Sequence, residues 1–180
     1  MNNKKLLVIS DSHGSMKALR AVFNWAKERT PPYDTICAAA FLGDGIDDIH
    51  PALNETGFLC NWAMVRGNND YFSHEPDTAL FDFSDYKFFI CHGHRHNNSG
   101  TQALITIAHA NNANVVLTGH THVPHLKKID GIYLINPGSV SRPRSRIGAT
   151  FAVIECADDR ELKVDFFNIC EKGEIRSVKI

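Results

Sequence analysis

The sequence predicts an α/β protein of four layers, with two β-sheets packed face to face and helices outside. Two observations lead there. From residue 6 to residue 70, apolar β-rich runs alternate with helical patterns in the order β-α-β-α-β, which implies parallel strands joined by right-handed crossovers. After residue 75 a hairpin-like pair and four more short β-rich runs follow with only one further helix, which adds antiparallel strands. A third observation places the chemistry. Asp, Asn and His residues gather just past the apolar runs, at the carboxyl edge where open α/β folds keep their sites. No linker, repeat or low-complexity tract interrupts the chain, so residues 1–180 read as one domain able to bury a sizeable core.

Each element has its own signal. Leu6-Leu7-Val8-Ile9 is apolar on both faces, as a covered central strand must be. Ser15 is a suitable N-cap for a helix carrying Met16, Leu19, Val22, Phe23 and Ala26 at helical spacing, and Thr30-Pro31-Pro32 stops it. A second strand runs from Thr35 to Leu42. An acidic helix starts at about Asp47-Asp48 and closes at Thr56-Gly57, and Trp62 to Val65 is a third strand. Ala79–Phe83 and Tyr86–Cys91 flank Ser84-Asp85 as a hairpin. Ser99-Gly100-Thr101-Gln102 is a capping-box pattern for a helix through Ala108, with Asn111-Asn112 as its left-handed exit. Val115–Leu117, Ile132–Ile135, Thr150–Glu155 and Leu162–Asn168 are the remaining strands, with Asp158-Asp159 in the last turn.

Composition excludes several classes of function. A net charge of −1 advertises no broad basic face, so neither nucleic acid nor a membrane surface is expected as a long-range partner. Met1 to Lys5 lead into only four apolar residues, too few for a signal-peptide core, and no run reaches the length of a membrane span. The five cysteines are scattered, odd in number and form no Cys-x-x-Cys, which points to reduced thiols and a cytoplasmic protein. Cys91, although next to His92, reads as a small buried hydrophobe.

The organising stretch is Thr118-Gly119-His120-Thr121-His122, just past Val115-Val116-Leu117. Histidines two apart on extended backbone project to one side, and Gly119 allows a close approach beside them. Asp11 with His13, Asp44, Asn68 and His92 offer matching ligands, each after its own apolar run. Carboxylates bind hard divalent cations, imidazoles suit Mn, Fe, Co, Ni and Zn, and an Asn carbonyl adds a neutral oxygen. This set is too large for one tetrahedral ion and fits two that share a carboxylate, a recurring device for phosphoester hydrolysis. With no cysteine in the set, structural zinc is not expected.

In order and spacing, Asp11-x-His13, Gly43-Asp44, Gly67-Asn68-x-Asp70, His92 and Gly119-His120-Thr121-His122 resemble the calcineurin-like metallophosphoesterases. The short length, Arg66-Gly67-Asn68, His92-Gly93-His94 and Asn136-Pro137-Gly138-Ser139 look most like the YfcE-type phosphodiesterases of bacteria and archaea. The resemblance runs from Leu6 to Ser139. It implies an αββα sandwich, with Asp11, His13 and His122 on one metal, Asn68, His92 and His120 on the other, and Asp44 bridging. It also implies a divalent-metal-dependent phosphodiesterase in which water or hydroxide between the ions attacks a small phosphodiester. The ion expected first is Mn2+, with Ni2+, Fe2+, Co2+ and Zn2+ as alternatives.

One position departs from the pattern. Many relatives carry a histidine directly after the Asn, where it protonates the leaving group and an acidic neighbour orients it. Here that position is Asn69, which cannot serve as an acid, although Asp70 survives to orient an imidazole. YfcE-type enzymes often lack this histidine too, which points to diesters rather than alkyl monoesters. His94 is the nearest substitute acid, so His94 and Asp70 are the catalytic candidates, whereas His96 reads as a solvated loop residue. Asn69 and Arg142 are the candidate substrate contacts. Arg144 and Arg146 read equally as phosphate contacts or as a solvated basic loop. Two other readings stand beside the diesterase: a phosphomonoesterase, and a protein-interaction scaffold like the small subunit of retromer, which looks like the same fold. A homo-oligomer is left open.

Overall fold

The computed structural model describes residues 4–29, 36–96, 100–156 and 161–180. Thr30-Pro31-Pro32, the start of the second strand at Thr35, Ser99 of the capping box and the Asp158-Asp159 turn lie outside them. The described elements follow the sequence in the order β1 (Lys4–Ile9), α1 (Met16–Lys27), β2 (Ile36–Phe41), α2 (Ile46–Thr56), β3 (Asn61–Met64), β4 (Thr78–Phe83) and β5 (Tyr86–Cys91). A short 3-10 turn (His94–His96) leads on to α3 (Gly100–Ala110), β6 (Val115–Leu117), β7 (His125–Ile129), β8 (Ile132–Asn136), β9 (Ala149–Cys156), β10 (Leu162–Ile169) and β11 (Ile175–Val178).

Two sheets form. The first has the order β11-β10-β9-β1-β2-β3 and the second β4-β5-β6-β8-β7. As expected, β1, β2 and β3 run parallel, with β9 antiparallel to β1, while β5, β6 and β8 are parallel between antiparallel edges. The capping expectations can be read directly. Ser15 accepts the N–H of Ala18, and Gly57 takes the left-handed conformation that ends α2. Asn112 is likewise left-handed, at φ 54°, after α3.

Strand alternation builds the four layers. Leu6 and Val8 of β1 face Phe88, Ile90, Val115, Leu117 and Ile135 in the core between the sheets. Leu7 and Ile9 face the other way, onto Leu19, Val22 and Phe23 of α1 and Ile49 of α2. On the far side, Phe89 and Val116 pack against Ile105 and Ala108 of α3. Each such Val, Leu, Ile or Phe side chain removed from water stabilises the fold by roughly 1.5–3 kcal/mol. The architecture is therefore an αββα sandwich.

Two strands were absent from the sequence reading, β7 and β11. Both are sheet edges, and their exposed Lys127, Lys128, Arg176 and Ser177 break the apolar pattern that marks a covered strand.

Candidate metal centre

Five strands, three in one sheet and two in the other, end at one place. Loops after β1, β2, β3, β5 and β6 bring in Asp11 with His13, Asp44, Asn68, His92, and His120 with His122. Backbone bonds tie the loops together: Asp11 N–H donates to Gly43 O at 3.0 Å, His13 N–H to Asp44 O at 3.0 Å, and Gly119 N–H to His92 O at 2.9 Å. The turns are tight. Asp11, His13, Asp44, His120 and His122 all have φ between 45° and 64°, in the left-handed region. Holding a non-glycine residue there costs of order 1–3 kcal/mol, strain that persists where surrounding structure fixes it.

The ligand atoms converge. Asp11, His13 and His122 form one group, and Asp11, Asp44 and His92 another, with the ligand atoms of each within 4.8 Å of one another. Asp44 Oδ2 lies 3.7 Å from His13 Nε2 and 3.4 Å from His92 Nε2, so its carboxylate reaches towards both groups. Asp11 Oδ1 is 3.1 Å from His122 Nε2 and 3.9 Å from His92 Nε2. Asn68 and His120 line the same cleft, of about 420 Å3, together with Asn69, Arg142 and Arg144.

The remaining valences of these side chains are already used. His92 Nδ1 donates to Leu42 O at 2.6 Å and His122 Nδ1 to Arg142 O at 2.5 Å, which turns Nε2 of each ring to the centre. Asp11 Oδ2 accepts Ser10 Oγ at 2.5 Å and His120 N–H at 3.1 Å. That leaves Asp11 Oδ1 and His92 Nε2 buried and without a hydrogen-bond partner. Buried polar atoms in folded proteins are nearly always paired, so these two orphans, 3.9 Å apart within the ligand cluster, fit a centre that binds cations. The donor set of carboxylate oxygens and imidazole nitrogens fits a divalent transition metal. Cys91 is not among the donors; it packs against α3, and burial pushes its thiol up to about 12.

The charges pull against each other. Burial opposes ionisation of Asp44, yet the His92 imidazole and the Asn69 donors hold its carboxyl well below the usual carboxylate range. Burial lowers His13 and His120, with Arg142 adding to the effect at His13 and His92 at His120. Burial also works against protonation of His92, but Asp44 and Asp11 raise it overall. At His122 the neighbouring Asp11 carboxylate, 3.1 Å away, dominates and raises it.

Asp70 and Asn69 both bond to the loop of Asp44. Asp70 Oδ2 accepts the N–H groups of Asp44 (2.6 Å) and Gly67 (2.7 Å), and Oδ1 those of Gly45 (2.7 Å) and Ile46 (3.0 Å). Neither oxygen is left to orient an imidazole at position 69, so Asp70 clamps the two loops instead. Asn69 gives its backbone N–H to Asp44 Oδ1 (2.8 Å) and its Nδ2 to Asp44 Oδ2 (2.6 Å). His94 packs beside the rings of His92 and His120, at centroid distances of 5.5 and 6.2 Å, and lines an adjacent pocket of about 210 Å3. Its Nδ1 is buried and has no partner.

Several supporting residues escaped the sequence reading. Asp48 accepts Ser12 Oγ (2.7 Å) and Gly14 N–H (2.8 Å), bracing the loop of Asp11 and His13, but in sequence it is only an acid at a helix start. Asn136, fully buried, donates to Gly119 O at 2.6 Å, and Ser139 Oγ to Asp11 O at 2.8 Å. Gly119 shows why it has no side chain: a Cβ there would stand 2.0 Å from Ser10 Oγ.

A sequence model described as the calcineurin-like phosphoesterase superfamily domain matches residues 5–159. The chain belongs to this superfamily. It is 30% identical over 158 residues to a probable metallophosphoesterase of Bacillus subtilis, YsnB, covering 86% of this chain and 85% of that one. It is 27% identical over 173 residues to the Escherichia coli phosphodiesterase YfcE, covering 84% and 87%. Among solved structures, a conserved uncharacterized protein of Streptococcus pneumoniae, named a predicted phosphoesterase, superposes with a TM-score of 0.76 at 27% identity over 99% and 98% of the two chains. Vps29 of Entamoeba histolytica, solved with zinc, shares the fold with a TM-score of 0.74 at 20% identity over 98% of each chain. The family assignment makes the chain a metallophosphoesterase by kinship, in agreement with its Asp and His clusters.

Proposed function

We propose that this protein is a phosphodiesterase holding two divalent ions, Mn2+ first, with Ni2+, Fe2+, Co2+ and Zn2+ as alternatives, and acting on small phosphodiesters. The observation that carries the reading is the pair of partnerless buried atoms, Asp11 Oδ1 and His92 Nε2, set among Asp44, His13 and His122. When bound, such ions polarise the phosphate and lower the pKa of water enough for attack at neutral pH. Asp11, His13 and His122 would hold one ion and Asn68, His92 and His120 the other, with Asp44 reaching both. Asn69 and Arg142 would touch the substrate. His94, beside His92 and His120, is the nearest group to supply a proton to a leaving oxygen.

Diesters are favoured over monoesters because the position after Asn68 is an amide engaged with Asp44, not an acid. The name of the Escherichia coli relative points the same way. A Vps29-like scaffold has the fold likeness on its side, but orphaned and strained ligand residues are a cost that a scaffold has no use for. The five free thiols suit a reducing cytoplasm, and no helix among the described residues is long and apolar enough to cross a membrane.

The test is metal analysis joined to turnover. Purified protein saturated with Mn2+ should bind two ions per chain and cleave bis(p-nitrophenyl) phosphate, and a chelator should abolish the activity. Absence of bound metal, or alkyl monoesters cleaved as fast as aryl diesters, would overturn it.

A further inference from the structure

Arg142 and Arg144 stand on one wall of the metal cleft, facing a site whose other charged members are carboxylates and imidazoles. Their backbone is anchored to a proposed ligand. Arg142 O accepts His122 Nδ1, Arg144 N–H donates to His122 O at 3.1 Å, and Arg142 N–H donates to Ser139 Oγ at 2.8 Å. Pro143 between them fixes the backbone further. Both side chains are exposed. Among the described residues neither guanidinium has an acidic partner, whereas Arg20, Arg66, Arg95 and Arg176 each have one.

Charge balance makes these two cations more than the reaction centre needs. Two divalent ions against the Asp11 and Asp44 carboxylates already outweigh the single negative charge of a diester. Two further guanidiniums, held on a rigid segment and left unpaired, suit a second anion, and Arg presents a planar fork matched to phosphate oxygens. The chain as a whole is nearly neutral, at −1, so this positive charge is local and suits a small ligand rather than long nucleic acid.

We propose that Arg142 and Arg144 form a second anion subsite beside the metal centre, and that the substrate is a small phosphodiester carrying a further phosphate, as in a 5′-phosphorylated dinucleotide. The proposal rests on the phosphodiesterase reading above and narrows it to a substrate class. Arg144 thereby becomes a specificity residue, and the segment after Ser139 the part of the cleft that recognises what lies beyond the scissile bond.

The experiment compares diadenosine monophosphate (ApA) with its 5′-phosphorylated form (pApA) on the Mn-loaded protein. Wild type should favour pApA in kcat/KM by at least about tenfold, or 1.4 kcal/mol, and the preference should shrink as salt rises. Arg142→Gln and Arg144→Gln should each reduce that ratio, the double variant should bring it near one, and Arg144→Lys should restore part of it. A binding arm needs no turnover. By calorimetry, adenosine 3′,5′-bisphosphate should bind wild type more tightly than adenosine 5′-monophosphate, and the difference should vanish in the double variant. Equal use of ApA and pApA by wild type, or a preference that survives in the double variant, overturns the proposal. Failure of the diesterase reading looks different: no turnover of bis(p-nitrophenyl) phosphate with any metal, in which case the binding comparison alone decides whether the subsite exists.

Discussion

The carboxylate of Asp70 is bonded to the backbone of Asp44, and through three more N–H groups it joins the loop after β2 to the loop after β3. Hydrogen bonds to a charged acceptor contribute about 1.5–3 kcal/mol each. Asp70→Asn keeps one accepting oxygen and turns an amide NH2 towards backbone donors. The variant should lose about 2–4 kcal/mol of stability, read as a lower urea midpoint. Metal affinity should fall with it, because the bonds it weakens position Asp44. Unchanged Mn2+ binding by calorimetry would remove Asp70 from the support of the site.

Asp44→Asn probes the carboxylate that reaches both ligand groups. The amide keeps the shape and removes the charge that faces His13 and His92. Turnover of an aryl diester should drop far more than tenfold, a loss well above 1.4 kcal/mol, in protein whose circular dichroism is unchanged. Retention of more than a tenth of the wild-type rate would rule out a central place for Asp44.

Gly119→Ala tests the packing behind the ligands. The added Cβ would meet Ser10 Oγ at 2.0 Å and Asp11 Oδ2 at 2.9 Å, and both atoms are buried and bonded to each other. Overpacking a tight site costs about 1–3 kcal/mol. The expected outcome is a modest fall in melting temperature with a larger fall in metal affinity, since Asp11 must shift. An Ala variant that binds Mn2+ like wild type would mean that Asp11 is not held by this contact.

These sites also show what the sequence makes legible. Residue types and their order singled out Asp11, His13, Asp44, Asn68, His92, His120 and His122, and the loops bring them to one end of the sheets because each follows an apolar run whose strand fixes where the next loop lies. Continuous apolar runs and the caps at Ser15 and Gly57 placed the covered strands and two helices. Conformation and pairing across loops were not legible. Nothing in the composition of positions 11, 13, 44, 120 and 122 announces a left-handed backbone. Nor does the Asn69-Asp70 pair reveal that one side chain turns to Asp44 and the other to four N–H groups from separate loops. The edge strands β7 and β11 were missed for a related reason: they are polar where solvent faces them, and only their partners make them strands.

Asn69 is where sequence logic and geometry diverge most. Read alone, Asn69→His would restore a general acid, with Asp70 ready to orient it, and alkyl monoesters should then be cleaved by an enzyme that had spared them. In the structure both Asp70 oxygens are filled by backbone donors, so an imidazole at position 69 finds no carboxylate there to hold it. The substitution also removes the 2.6 Å bond from Asn69 Nδ2 to Asp44 Oδ2, while the backbone bond to Asp44 Oδ1 remains. An oriented acid typically contributes about 10²–10⁴-fold, and an unoriented one should fall short of that. Asn69→His should therefore raise alkyl monoesterase activity by less than about tenfold and lower aryl diesterase activity through the disturbed Asp44. Paired rates on an alkyl monoester and bis(p-nitrophenyl) phosphate, taken at equal Mn2+ loading, decide it. A hundredfold gain on the monoester would show that the imidazole found its orientation from another group, with His94 the first place to look.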